Sequence, residues 1–352
     1  MKKLLLFVSL FLFVCLLGFS AKTWTVDDNR AECPNADFTH PQDAINAASP
    51  GDTIKIYPGD YYGKLGPYND TPILVVYKDG LSIVAADPDV TKTVLHFSLG
   101  SCTPENMATL TGGAVITTNS SPCTCISIIA SDVTISGLSL ITPEPKVRQW
   151  NESPLVLIGE LYWGDTNHFG SDNNTITKCT FADSVDFNME SCCGLGILIS
   201  HSSGNLILDN KLGSGVANYM VGMPVVMIED GSCGDSNCLA YSSKDNRIIN
   251  NEIAYYGGIS VGCGCFRWGG VSFPVNNSGT KIHGNQLGGI TFFNSYGLKI
   301  ASGNVSSLTY PDQSPGLLIW IYNSSDYKIP GNANHDWPPG WVQQYLNSKG
   351  NI

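Results

Sequence analysis

The chain has 352 residues, with 30 Asp and Glu against 19 Lys and Arg, and a formal net charge of −11. That balance excludes a protein held to nucleic acid or to an anionic membrane by its overall charge. It also argues against a polyanionic substrate unless a local basic cleft or a bound cation intervenes.

Residues 1–20 read as a signal peptide. Lys2 and Lys3 precede an uncharged apolar run from Leu4 to Leu17, and small residues lead to a cut near Ser20 or Ala21. The run is short for a membrane anchor. Cys15 is not a lipid-attachment cysteine, because Val14 before it is not small and apolar sequence resumes at Leu16. No later stretch is long and apolar enough for a spanning helix. The mature chain is therefore expected to be secreted or held at the cell surface, with a periplasmic location also open.

The mature sequence opens with a strand from Trp24. Pro41 to Ala48 reads as a short helix, with Pro41 at its first position and Ala44, Ile45 and Ala48 on one face. Gly51 and Asp52 turn the chain into a strand over Thr53 to Tyr57, which Pro58 and Gly59 end. The segment 37–59 is expected to cap the N-terminal end of the domain.

Past residue 59, short runs rich in Ile, Val, Leu and Thr alternate with Gly, Asn, Asp and Ser. A nine-residue pattern recurs, for example Asn173-Asn-Thr-Ile-Thr-Lys-Cys-Thr-Phe, Gly204-Asn-Leu-Ile-Leu-Asp-Asn-Lys-Leu and Asp245-Asn-Arg-Ile-Ile-Asn-Asn-Glu-Ile. Its central isoleucines are Ile83, Ile135, Ile176, Ile207, Ile248, Ile282, Ile300 and Ile329, at intervals of 18 to 52 residues. Constant cores separated by loops of unequal length fit a solenoid and not a strict-period array. Ile and the apolar residue five later flank a small or Asn residue suited to a tight corner. Stacked copies would bring Ile over Ile inside and Asn over Asn at the turn, with amides bonding along the ladder. The sequence thus predicts an all-β protein, a right-handed parallel β-helix over residues 21–332. A tail over 333–352, with a short helix after Pro339, would cap the last coil.

Eleven of the twelve cysteines lie beyond the signal peptide. The disulfide candidates are Cys102, Cys123, Cys125, Cys192, Cys193, Cys233, Cys238, Cys263 and Cys265, as expected in an exported chain. Metal binding and free buried thiols are the alternatives, and the odd count leaves at least one cysteine unpaired or bonded to another chain.

The stretch Phe38 to Tyr61, with Gln42-Asp-Ala-Ile-Asn-Ala-Ala, Pro50-Gly-Asp-Thr-Ile and Ile56-Tyr-Pro-Gly-Asp-Tyr, resembles the opening of pectin-lyase-like right-handed β-helix proteins. The downstream coils resemble the CASH repeats of carbohydrate-binding and sugar-hydrolase proteins. The resemblance implies the fold and leaves function open, since that superfamily includes lyases, hydrolases, epimerases, adhesins and non-catalytic surface proteins. Lyases of the fold pair an Arg or Lys base with bound calcium, and hydrolases use two or three carboxylates. The motifs Asn-Thr-Asp, Gly-His-Gly, Arg-Ile-Lys and Arg-x-Pro-x-x-Arg are absent from this chain.

Three insertions leave room for a site: Thr142 to Asp172, Gly213 to Lys244, and Gly262 to Gly270. Within them Glu229 and Asp230 are the candidate acids or metal ligands and Arg267 their charge partner. Trp163, Asp165 and Trp268 are the candidate sugar-contacting residues. The reading from sequence is a non-catalytic glycan-binding, adhesive or surface-structural protein. The alternative is a polysaccharide lyase or glycoside hydrolase. No cofactor is expected, apart from calcium if the protein is a lyase. The expected partner is a polysaccharide or cell-surface glycan.

Overall fold

The computed structural model describes residues 21–63, 73–96, 111, 125–141, 155–159, 171–182, 196–212, 223–229, 243–253, 257–262, 275–287, 289–293, 295–296, 299–300, 305–306, 318–322, 325–328, 342–345 and 349–351. The expected signal peptide and Ile329 lie outside them. Among the described residues the strands form three sheets of 13, 9 and 8 strands, here called A, C and B. Every strand pairing is parallel, and from Leu74–Val76 to Leu318–Tyr322 the chain passes repeatedly from sheet C to A to B and back to C. This is the right-handed parallel β-helix that the repeat pattern predicts.

The isoleucine column is built as expected. Ile54 aligns with Ile83, and the register continues through Ile135, Ile176, Ile207, Ile248, Ile282 and Ile300 along sheet A. The members from Ile54 to Ile282 are fully buried. Each buried isoleucine contributes roughly 1.5–3 kcal/mol of transfer free energy, so the column is a principal source of stability. On sheet B the inward column runs through Tyr61, Leu95, Leu140, Phe181, Leu212 and Ile253, also buried.

The repeat contains two corners, where the sequence pattern marked one. Its first position and its sixth are both left-handed. Asn173, Gly204 and Asp245 have φ of 58°, 73° and 56° at the C-to-A corner. Lys178, Asp209 and Asn250 have φ of 54°, 55° and 55° at the A-to-B corner. Gly204 and Gly284 meet a second demand, because a Cβ on either would sit 2.4 or 2.3 Å from the amide oxygen of Asn173 or Asn250 in the preceding coil.

Each corner is followed by a buried residue, and these residues form ladders. Behind the A-to-B corner the Asn210 amide N–H donates to Asn251 Oδ1 at 3.0 Å, and the Asn251 N–H donates to Asn285 Oδ1 at 2.9 Å. Behind the C-to-A corner Asn174, Asn205 and Asn246 repeat the arrangement at 2.8 and 2.9 Å. These amides satisfy backbone groups that the corners leave unpaired in the interior.

Sheet C is the element least visible in the sequence. Val156–Ile158 and Met223–Glu229 are strands lying inside the segments read as insertions. Their sequences are continuous apolar runs, as suits strands buried on both faces. Leu157 and Leu198, which point away from the solenoid interior, are each only 1% exposed. Val342–Tyr345 likewise replaces the expected terminal helix. It pairs with Leu318–Tyr322, and Lys349–Asn351 pairs with Ser325–Lys328, so the tail extends sheets C and A.

The first coil is closed by the helix Pro41–Ala47. Gln42 is buried on it. Its Oε1 accepts the Val75 N–H at 2.7 Å and its Nε2 donates to the Val75 carbonyl at 3.2 Å. One side chain therefore does for the edge of sheet C what a further strand would do. Lys78 donates from Nζ to the carbonyls of Asn46 and Ala48 at 2.6 and 2.7 Å, so a cation sits on the carbonyl end of the helix. Burial holds its ammonium below the usual lysine range.

Cys125 and Cys179 are free thiols packed in the core. This corrects the expectation of a disulfide at Cys125, whose side chain faces the interior of the coil. Cys33 is also free and is partly exposed. The other disulfide candidates, Cys102, Cys123, Cys192, Cys193, Cys233, Cys238, Cys263 and Cys265, lie outside the described residues.

Candidate functional site

The outer face of sheet B carries a polar cluster in its first two coils. Strand Gly59–Tyr61 pairs with Thr93–His96, with Asp60 opposite Val94 and Tyr61 opposite Leu95. Period-two alternation buries Tyr61 and Leu95 and turns Asp60, Tyr62 and His96 outward.

These three side chains organise one another. His96 Nε2 lies 2.7 Å from Asp60 Oδ1. An ionised carboxylate only accepts, so Nε2 carries the proton and Nδ1 is the basic nitrogen of the ring. The Tyr62 ring stacks on the His96 imidazole with centroids 4.4 Å apart and an interplanar angle of 7°. His40 fixes the backbone from below. Its Nδ1 accepts the Gln42 N–H at 3.1 Å, so its Nε2 donates to the Tyr62 carbonyl at 2.8 Å. The same histidine thus caps the helix and anchors the strand end.

The cluster faces solvent. Tyr62 is 51% exposed and is the one large apolar side chain so exposed among the described residues. The Asp60 side chain is 63% exposed and that of His96 22%. The result is a flat aromatic surface held in place, with a carboxylate and an imidazole at its edge.

Sequence reasoning missed this cluster. Its residues are spread over His40, Asp60, Tyr62 and His96, and no motif links them. Only the strand alternation after Tyr61 and the coil register join them. Of the residues that sequence reasoning did single out, Glu229 is the last residue of its sheet C strand. It stands in register between Ser200 and Gly262. Asp230, Arg267, Trp163, Asp165 and Trp268 lie outside the described residues. Among the described residues no three His, Cys, Asp or Glu side chains are grouped to hold a metal ion. Nor is any helix there long and apolar enough to cross a membrane.

No protein-family model matches the chain, and no curated protein matches it in sequence. Solved structures with a similar course of chain include a rhamnogalacturonan lyase, with a TM-score of 0.47 and 13% identity over 94% of this chain and 87% of that one. The pectate lyase Pel9A gives a TM-score of 0.40 and 15% identity over 95% and 78%. The pectin methylesterase PemA from Erwinia chrysanthemi gives 0.40 and 9% over 93% of each chain.

Proposed function

We propose that this protein is an exported parallel β-helix that binds polysaccharide along the flank of its solenoid, with the Tyr62 cluster as one contact point. The observation that carries the reading is the Tyr62 ring, half exposed yet held flat against His96. A sugar ring has an apolar C–H face that packs on an aromatic plane, and its hydroxyls donate to a carboxylate such as Asp60. A rigid platform loses little conformational entropy when it engages such a ligand. Export rests on the signal-like residues 1–20.

The Asp60–His96 pair favours a second reading, cleavage of the bound polymer. Asp60 holds the imidazole through its Nε2–H, which leaves the Nδ1 lone pair to act as a general base. The pair supplies one carboxylate and not two, so proton abstraction of the lyase type suits it better than two-carboxylate hydrolysis. A calcium requirement would accompany the lyase reading.

The test is to incubate the mature protein with a panel of neutral and acidic polysaccharides, with and without calcium, scoring retention and product ends together. Retention of at least one polymer supports the proposal. Release of unsaturated ends that His96→Ala abolishes would establish the second reading. Neither retention nor release across the panel would overturn both.

A further inference from the structure

One stretch of chain closes the N-terminal end of all three sheets. On sheet A the edge strand Thr23–Val26 meets Asp37 and Phe38. Asp37 Oδ2 accepts the Thr25 N–H and the Thr25 hydroxyl, each at 2.9 Å. The Phe38 N–H donates to the Thr25 carbonyl and the Phe38 carbonyl accepts the Asp27 N–H, both at 3.1 Å. On sheet C, Gln42 holds both backbone groups of Val75 in the edge strand Leu74–Val76. On sheet B, His40 reaches the Tyr62 carbonyl, one residue past the edge strand Gly59–Tyr61. Residues 37–42 thus tie off three edges that another chain could otherwise extend.

His40 is the member of this stretch whose hydrogen bonding changes near neutral pH. As the N-cap of the helix its Nδ1 accepts the Gln42 N–H at 3.1 Å, while its Nε2 donates to the Tyr62 carbonyl at 2.8 Å. Only the neutral ring with its proton on Nε2 does both. The imidazolium carries N–H on each nitrogen and accepts nothing. Protonation therefore sets Nδ1–H against the Gln42 N–H, donor against donor. The residue that loses its acceptor is the one whose side chain closes sheet C. The helix it belongs to, Pro41–Ala47, has 7 residues, too few to persist on its own hydrogen bonds.

Charged groups stand on the elements around His40. Asp37 lies in the same stretch and is engaged by Thr25. Asp43 lies in the first turn of the helix, and Asp60 and His96 lie beside Tyr62 on sheet B. Lys22 sits over the Trp24 ring, Lys55 over Tyr57, and Lys78 binds the carbonyl end of the helix. The carboxylates of Asp43 and Asp60 favour a charged ring, and the three lysines are held by other partners.

We infer that His40 is a pH-sensitive latch. Neutral, it holds residues 37–42 shut over the three sheet edges. Protonated, it releases the start of the helix and with it the Gln42 plug on sheet C. The latch rests on hydrogen bonds within the fold, so it stands whether or not the Tyr62 cluster binds a sugar. The closed end of the solenoid thereby answers to the pH around it.

The test is hydrogen exchange of the mature protein, read by mass spectrometry at about pH 7.5 and 5.5, on either side of the ordinary histidine value. Rates are corrected for the intrinsic pH dependence of amide exchange. Peptides covering 38–47 and 73–77 report the latch, and one covering 205–212 reports the middle of the stack. In the wild type, acid should speed exchange in the first two peptides by about fivefold, as expected for a lost helix cap, and leave the third within about twofold. His40→Asn keeps an oxygen acceptor for the Gln42 N–H at both pH values and should abolish the response. His96→Gln removes the neighbouring histidine and should preserve it. A wild type that shows no acid response would overturn the inference without recourse to any variant. So would an equal response in His40→Asn, equal acceleration in all three peptides, or a response that disappears only in His96→Gln.

Discussion

Replacing Asn251 by Ala tests the interior ladder at its centre. The Asn251 Oδ1 accepts the Asn210 backbone N–H and one Asn210 Nδ2 hydrogen, each at 3.0 Å, and all these groups are buried. Ala leaves both donors without a partner in a place water does not reach. An unsatisfied buried donor costs roughly 1–3 kcal/mol, so the loss should be about 2–6 kcal/mol. The carbonyl of Ile207 also loses the Asn251 Nδ2 donor at 2.9 Å. Urea titration followed by far-UV circular dichroism measures the loss directly. A decrease below about 1 kcal/mol with an unchanged slope would refute the reasoning, since it would mean that the amides merely fill space. The complementary change is Cys179→Asn. Cys179 occupies the ladder position one coil earlier, and its Sγ faces the Ile135 carbonyl at 4.0 Å. Asn210 makes the equivalent bond to Ile176 at 2.9 Å. Extending the ladder should therefore stabilise the protein, by about 0.5–1.5 kcal/mol.

Gln42→Ala should unpair both backbone groups of Val75 and expose the edge of sheet C, costing about 2–4 kcal/mol and raising light scattering on heating. Asp52 is held below the usual carboxylate range by the Ser49 N–H and further by the Lys22 N–H and Trp24 indole, and Asp37 is lowered by Thr25. Their folded forms bind protons less readily than the unfolded chain. The stability they contribute is complete above about pH 5 and should be lost as pH falls through the lowered folded values. Asp52→Asn should flatten that decline in thermal midpoints between about pH 5 and 2. Burial pushes the Cys179 thiol up to about 11 and raises Cys125 further. Both should resist a thiol reagent in the native state and react only on unfolding, with Cys33 reacting first; fast native labelling at Cys125 or Cys179 would contradict their placement.

Sheet A and the corners of the coil are legible in the sequence because their signal is local. Ile207 sits three residues after Gly204 and two before Asp209, and each copy repeats that frame. Sheet C is harder to see. Val156–Ile158 and Met223–Glu229 carry no alternation, and their distance from the next repeat varies from coil to coil, so each looks like part of a loop. The terminal strand Val342–Tyr345 comes after two prolines and a glycine, which read as a helix start, yet its pairing with Leu318–Tyr322 decides its conformation. The Tyr62 cluster is hidden for a different reason. Asp60 and His96 are 36 residues apart, and register alone brings them together.

The most direct test of the central claim is a binding isotherm of the mature protein on the polysaccharide retained best from the panel, set against that of Tyr62→Ala. Removal of an exposed aromatic platform leaves the core intact and should weaken binding by about tenfold, the equivalent of ~1.4 kcal/mol, with an unchanged thermal midpoint. Identical isotherms for the two proteins would contradict the claim that the Tyr62 cluster is where this solenoid meets its glycan.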